Sequence, residues 1–335
     1  MKIAIIGLGS IGQRHAATTA RLQQEGRITT VRAFDISPER RRQTHAKYPA
    51  IDVRDDLGAA VADADAVFIC TPTSKHLSVM EEISRSRRYH LFIEKPLAHT
   101  LDGCDDFLFA QQRAGKITAV GYLLRFHPVV RAFRSLVSQG TVGRPLSVRV
   151  ESGFFLPQWH PWEDYRDFYM SWKTGGGGAL LDTSHEINYM HWIFGPIVEI
   201  KGYFDHVSDL EITSDDLTVA VCRFNAGFYG QIQLDLLQFE ECRTCKVIGT
   251  EGVATADLIK NTVTWQRRGD SAWKSESFTV DYDAIYYDEV KEFLDVCRNG
   301  GTLTSPAADA RMTLDVIEGI RRSHALGVAV RLPLY

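Results

Sequence analysis

The chain has 335 residues, 44% of them hydrophobic and 24% charged, with a formal net charge of −4. That length exceeds one ordinary core and predicts two domains, and the composition is globular, which excludes a disordered or membrane-embedded chain. The negative balance offers no global attraction for nucleic acid or an anionic membrane, so neither is expected as a partner.

Met1-Lys2 runs straight into Ile3-Ala4-Ile5-Ile6, an apolar run too short for a secretion signal, so a cytoplasmic location is expected. Six cysteines do not make a disulfide framework at this length, and free thiols are expected.

From residue 1 to 121 short apolar runs alternate with helical patterns, which predicts βαβ units and a parallel sheet. Strands are predicted at Lys2–Gly7, Thr30–Asp35, Ala66–Thr71, Leu91–Glu94 and Ile117–Gly121. Their near-continuous apolar character suits burial on both faces. Helices fit between them at Ile11–Gln24, Pro38–Lys47, His76–Arg87 and Leu101–Ala114.

Gly7-Leu8-Gly9-Ser10-Ile11-Gly12 is a G-x-G-x-x-G where a strand ends and a helix opens. Gly7 permits the tight turn, Gly9 lets the backbone approach a pyrophosphate, and Gly12 allows close helix–strand packing. The helix N-terminus then offers free N–H groups and partial positive charge to that pyrophosphate. Asp35 ends the next strand, 23 positions beyond Gly12, where a carboxylate can accept from a ribose 2′-OH. It would repel a 2′-phosphate, which favours NAD; Ser37 and Arg40 keep NADP open.

Two more strand ends belong to the same crevice, because ligands of open α/β sheets sit beyond the carboxyl ends of strands. One carries Cys70-Thr71-Pro72 and, four positions on, His76; the other carries Glu94-Lys95-Pro96. The apolar residues before Lys95 are expected to be buried, so its charge is expected to project into the crevice.

After residue 121 the rhythm changes, and residues 122–335 read as a second domain. A helix at Pro128–Ser138 precedes a strand at Leu146–Phe155, an aromatic-rich loop, the Gly175–Gly178 run and a helix from Asp182 to Phe194. Partial period-two alternation follows at Ile197–Val207, Leu217–Phe224, Phe228–Phe239 and Arg243–Gly249, with shorter runs near Val253 and Thr262. That predicts a large open sheet, mostly antiparallel, in an α+β domain. Helices at Tyr286–Arg298 and Pro306–Ala325 and a strand at Val328–Leu332 close the chain, and a C-terminal helix is expected to pack back on the first domain. Cys242 and Cys245 have metal-clasp spacing, but no second pair completes a zinc site. They also lie in a strand, where positions three apart point to opposite faces, so no metal is expected.

Taken together, these motifs resemble the glucose–fructose oxidoreductase/inositol dehydrogenase (Gfo/Idh/MocA) family over nearly the whole chain. The resemblance is carried by Gly7–Gly12 with His15, Thr71-Pro72 with His76, Glu94-Lys95-Pro96, Val120-Gly121-Tyr122 through Arg125-Phe126-His127-Pro128, and the glycine run before Asp182, His185 and Asn188. It implies a Rossmann domain, a sheet domain that often serves as a subunit interface, and NAD(P)-linked oxidation or reduction of sugars and polyols. A homodimer or homotetramer is therefore expected. By the same resemblance Lys95 takes the functional lysine's place, His185 the base's and Asp182 the supporting carboxylate's, and the Lys95–Pro96 bond is cis. There are departures: Asp182 and His185 are one position closer than usual, Asn188 stands where an aspartate is common, and Leu123 where an asparagine is common.

Oxidising a carbinol needs a hydride acceptor, a base for the hydroxyl proton, and positive charge near the oxygen. Nicotinamide supplies the first. An imidazole such as His185 suits the second, because it titrates near neutrality. Lys95 can donate to the substrate oxygen and stabilise developing alkoxide character, and Asp182 can orient His185 or hold a neighbouring hydroxyl. The segment Phe154–Arg166, with Trp162 at its centre, combines aromatic faces and polar groups suited to a sugar ring, or else packs its own tryptophans. Arg125 and His127 are candidate substrate contacts; Arg125 alternatively ties the domains together. Two other functions stay open: an NAD-dependent glycosidase working by transient oxidation and elimination, and a non-catalytic NAD(P) or sugar sensor.

Overall fold

The computed structural model describes every residue except Ser86 and Tyr335. Two compact units share the chain: Met1–Leu123 with Asp281–Ala310, and Leu124–Val280 with Arg311 onward. Among the described residues no helix is long and apolar enough to cross a membrane.

The first unit runs β1 (Lys2–Ile6), α1 (Ser10–Gln24), β2 (Thr30–Phe34), α2 (Pro38–Lys47), β3 (Asp52–Val53), α3 (Leu57–Val61), β4 (Ala66–Ile69), α4 (His76–Ile83), β5 (His90–Ile93), α5 (Cys104–Arg113) and β6 (Thr118–Val120). Its strands form one parallel sheet in the order β3-β2-β1-β4-β5-β6. This is the doubly wound dinucleotide-binding arrangement, whose winding reverses between β1 and β4. Ile3, Ile5, Phe68 and Phe92 pack into one core cluster, and Ala4, Val67, Leu91 and Ile93 into another. Burial on both faces explains why these strands read as unbroken apolar runs.

Gly7, Asp35, Thr71 and Glu94 fall just beyond the strand ends. The short β3 and α3 escape the sequence pattern because two and five residues carry no usable period. The expected extension of α4 to Arg87 crosses Ser86 and so lies partly outside the described residues.

In the second unit come α6 (Pro128–Ser138), β7 (Pro145–Phe155), α7 (Leu156–Trp159), α8 (Ala179–Asp182), α9 (His185–Phe194), β8 (Ile197–Asp205), β9 (Leu217–Phe224), β10 (Tyr229–Asp235), β11 (Leu237–Gly249), β12 (Gly252–Asp257), β13 (Thr262–Arg267) and β14 (Lys274–Ser277). Then follow α10 (Tyr282–Asn299), α11 (Ala307–Leu326) and β15 (Val330–Arg331). The nine-stranded sheet has the order β14-β13-β12-β11-β7-β10-β9-β8-β15. It is antiparallel except where β7 and β10 run parallel.

Three expectations change. The run Phe228–Phe239 is two strands, because β10 and β11 lie on opposite sides of β7 and the chain must leave the sheet at Leu236. The second domain's expected span, 122–335, loses Asp281–Ala310 to the first unit, in keeping with the expected return of a C-terminal helix to that domain. The physical reason is α10, whose Val290, Phe293 and Leu294 enter the core of Ile3, Ile5, Phe68 and Phe92. The helix predicted from Asp182 to Phe194 is broken at Thr183-Ser184, so His185 heads α9 while Asp182 ends α8.

Candidate active site

The loops after β1, β2, β4 and β5 gather at one edge of the first unit's sheet. Gly7 has φ +95°, and a Cβ there would meet the Cys70 carbonyl oxygen at 2.5 Å, so no larger residue fits. A Cβ on Gly12 would collide with the Gly7 carbonyl, whereas one on Gly9 would meet nothing within 4 Å. Gly9 therefore leaves open space before the start of α1, and no side chain caps that helix. Such a cradle fits a dinucleotide's pyrophosphate.

The buried Asp35 carboxylate accepts from the Leu8 amide at 2.7 Å and the Ser37 amide at 2.8 Å. Each oxygen keeps a lone pair for a ribose hydroxyl. The Arg40 guanidinium stands 3.7 Å from Asp35. Ile36, 86% exposed beside Asp35, is a large apolar surface that the sequence reading passed over.

His76 joins the two neighbouring loops. Its Nδ1 lies 2.9 Å from the Pro96 carbonyl and its Nε2 2.9 Å from that of Thr71. Burial lowers its pKa, against the pull of those carbonyls. The Lys95–Pro96 bond is cis, as the resemblance implied. Lys95 is half-buried, and its amide donates to its neighbour Glu94 at 3.3 Å. Glu94 in turn meets His15 Nε2 at 2.5 Å and lies against Gly121, where a Cβ would stand 3.1 Å from the carboxylate. Glu94 is thus a brace beneath Lys95, and His15 is its buried partner.

In the second unit Asp182 and His185 are both buried. Asp182 accepts from the Tyr169 hydroxyl at 2.6 Å. The segment before it is fixed by Asp215, which the sequence reading missed. Its carboxylate accepts from the Leu180 amide at 2.8 Å and its main-chain oxygen from the Ala179 amide at 2.9 Å. Gly178, at φ +116°, leaves no room for a Cβ against that carboxylate, so the glycine run is needed for this approach. Burial, reinforced by the nearby Asp182, raises Asp215 to about 6.

A carboxyl raised in the folded state is stabilising when protonated. Its share of stability is full below the ordinary carboxylate range and is lost as pH rises through about 6. Asp215→Asn, which still accepts from Leu180 but cannot ionise, should raise the melting temperature at pH 8 and leave it nearly unchanged at pH 4. Thermal melts across that range check this; an equal shift at both pH values would refute it.

The remaining candidates fall elsewhere. Arg125 is wholly buried, donates from Nε to the Asn188 side chain at 2.7 Å and lies over Trp192. His127 is also buried, and desolvation, then Arg243, lowers it to about 4. Neither side chain faces solvent. Around the aromatic loop Trp159 packs on Phe154 at 4.3 Å, and His160 stacks on Trp162 at 4.9 Å. The seam among Leu156, Trp159, His160 and Phe168 has no room for a water molecule. The loop therefore packs its own rings, while Trp162 stays 78% exposed.

A sheet edge built this way, with its glycine cradle at the winding reversal, is that of a Rossmann-type NAD-binding oxidoreductase. Residues 1–122 match the oxidoreductase family with an NAD-binding Rossmann fold, and residues 130–255 match the GFO/IDH/MocA C-terminal domain. The chain belongs to the Gfo/Idh/MocA family.

It is 26% identical over 324 residues to the myo-inositol 2-dehydrogenase of Thermotoga maritima, covering 94% of this chain and 93% of that one. A levoglucosan dehydrogenase solved with NADH and levoglucosan superposes with a TM-score of 0.88 at 18% identity, covering 100% of both chains. The WlbA dehydrogenase of Bordetella pertussis, solved with NADH and UDP-GlcNAcA, superposes with a TM-score of 0.82 at 21% identity, covering 100% of this chain and 99% of that one.

Proposed function

We propose that the enzyme transfers hydride between NAD and a hydroxyl-bearing carbon of a sugar or polyol, with Lys95 and His185 acting on that oxygen. The observation that carries this reading is Lys95 itself. It is half-buried at the sheet edge that bears the glycine cradle, and Glu94 braces it from below. NAD, when bound, supplies the hydride acceptor. Lys95 donates to the oxygen as alkoxide character develops. His185 takes the hydroxyl proton, and Asp182, held by Tyr169, orients the imidazole or a neighbouring hydroxyl. The exposed face of Trp162 is available to the apolar side of a sugar ring. A panel of inositols, sugars, sugar acids and nucleotide sugars, assayed for NADH formation, tests the reading; silence across the panel in both directions would sink it. A cytoplasmic location belongs to the same proposal, since an NAD-linked dehydrogenase draws on the NAD pool there.

Asp35 sets the cofactor preference. Asp35→Ser should weaken NAD binding about tenfold, since the change removes a ribose acceptor and also strands the Leu8 and Ser37 amides. NADP should improve relative to NAD, with Arg40 nearby to meet a 2′-phosphate. Fluorescence titrations decide it: a wild type that binds NADP as tightly as NAD would contradict the assignment.

The second unit's sheet supports a homodimer or homotetramer. Tyr203, Val219, Val221 and Tyr229 are exposed on one face, and a two-fold partner is the usual cover for such a surface. Ile232 and Leu234 are buried on the opposite face, because Gln233 and Gln231 are the cross-strand partners of Val219 and Val221. Light scattering at micromolar concentration should give a mass of at least two chains; a monomer would contradict the proposal.

A further inference from the structure

We propose that Glu289 on α10 is held as a neutral carboxylic acid and, through one buried water, completes a chain that runs by His15 and Glu94 to the main chain of Lys95. The inference rests on the catalytic reading of Lys95 and adds a positioning residue beneath it.

Spacing fixes where Glu289 faces. Tyr286, Glu289 and Phe293 lie three and then four positions apart, on one side of the helix. The Tyr286 ring meets the His15 ring edge-on at 6.0 Å. Phe293 packs on Phe68 and Phe92, the two rings that also flank His15. Glu289, between them, therefore points toward His15. It is 3% exposed, and among the described residues neither of its carboxylate oxygens has a hydrogen-bond partner. His15 Nδ1 has none either, while its Nε2 is engaged with Glu94. If Nε2–H donates to Glu94, Nδ1 is an acceptor. A protonated Glu289 is a donor. A buried water needs two to four polar partners and is the ordinary way to satisfy such a set.

The charges around Glu289 point the same way. Burial first, then the carboxylates of Glu94 and Glu292, raise its pKa well above the ordinary range. Glu292 is committed to Thr304, through the amide at 2.9 Å and the hydroxyl at 2.7 Å. On α1 the adjacent cation, Arg14, pairs with Asp283 at 3.0 Å and lies over the Tyr286 ring. An ionised Glu289 would set a second buried negative charge beside Glu94 and Glu292, with no hydrogen-bond donor among the described residues to hold it. Kept neutral, it fixes the tautomer of His15 and leaves Glu94 free to accept from the Lys95 amide.

Infrared difference spectra between wild type and Glu289→Gln test this on the protein without substrate. At about pH 8 the wild type should show a protonated carboxyl C=O band that the variant lacks. Glutamine still donates, so Glu289→Gln should keep kcat within about twofold of wild type, whereas Glu289→Leu, which strands His15, should lower kcat about tenfold with little change in substrate KM. Absence of the band, or a Gln variant as impaired as the Leu variant, would overturn the proposal. An unaffected Lys95→Met enzyme with the band intact would instead remove the catalytic reading on which it rests.

Discussion

Replacing His185 by alanine should lower turnover by about 10²–10⁴-fold, the usual contribution of a positioned general acid–base. His185 is the first residue of α9 and is buried, so its ring cannot drift freely in solvent. With the base present, the oxidation rate should rise with pH as the imidazole gives up its proton. The alanine enzyme should lose that limb, so its deficit is greatest near and above neutrality. A pH series of kcat/KM decides it; an unchanged profile would remove His185 from the chemistry.

Lys95→Met should cost about 10²–10³-fold in turnover, the loss seen when one donor to a developing oxyanion is removed. Methionine keeps much of the stem and the main-chain amide that donates to Glu94. NAD binding should therefore change little. On the proposed assignment both side chains act on one transition state, so the double variant should lose less than the product of the single losses. Fully multiplicative losses would mean that the two residues do not share a substrate oxygen.

Much of the nucleotide end was legible in the sequence because its constraints are local. The turn after β1 needs glycine at Gly7 and Gly12, where any Cβ would strike backbone. Asp35 is placed by nothing more than the length of one βαβ unit. The second unit was harder to read, because its constraints come from residues far apart in the chain. Asp215 grips the glycine run from 35 positions beyond Leu180. Tyr169 reaches Asp182 from a one-turn helix that has no period. The break at Thr183-Ser184 is hidden because the turns on both sides are buried, so no change of exposure marks it. The exposed sheet face is hidden for a related reason: alternation tells which residues share a face within one strand, but the β9–β10 register decides which face matches.

The most direct test of hydride transfer uses a substrate from the panel carrying deuterium at the carbinol carbon. The deuterium should pass to the nicotinamide and accumulate as labelled NADH, one for each molecule of carbonyl product, and Lys95→Met and His185→Ala should slow this without diverting it. Substrate cleaved at a glycosidic bond with no net labelled NADH would contradict the account and establish transient oxidation with elimination instead.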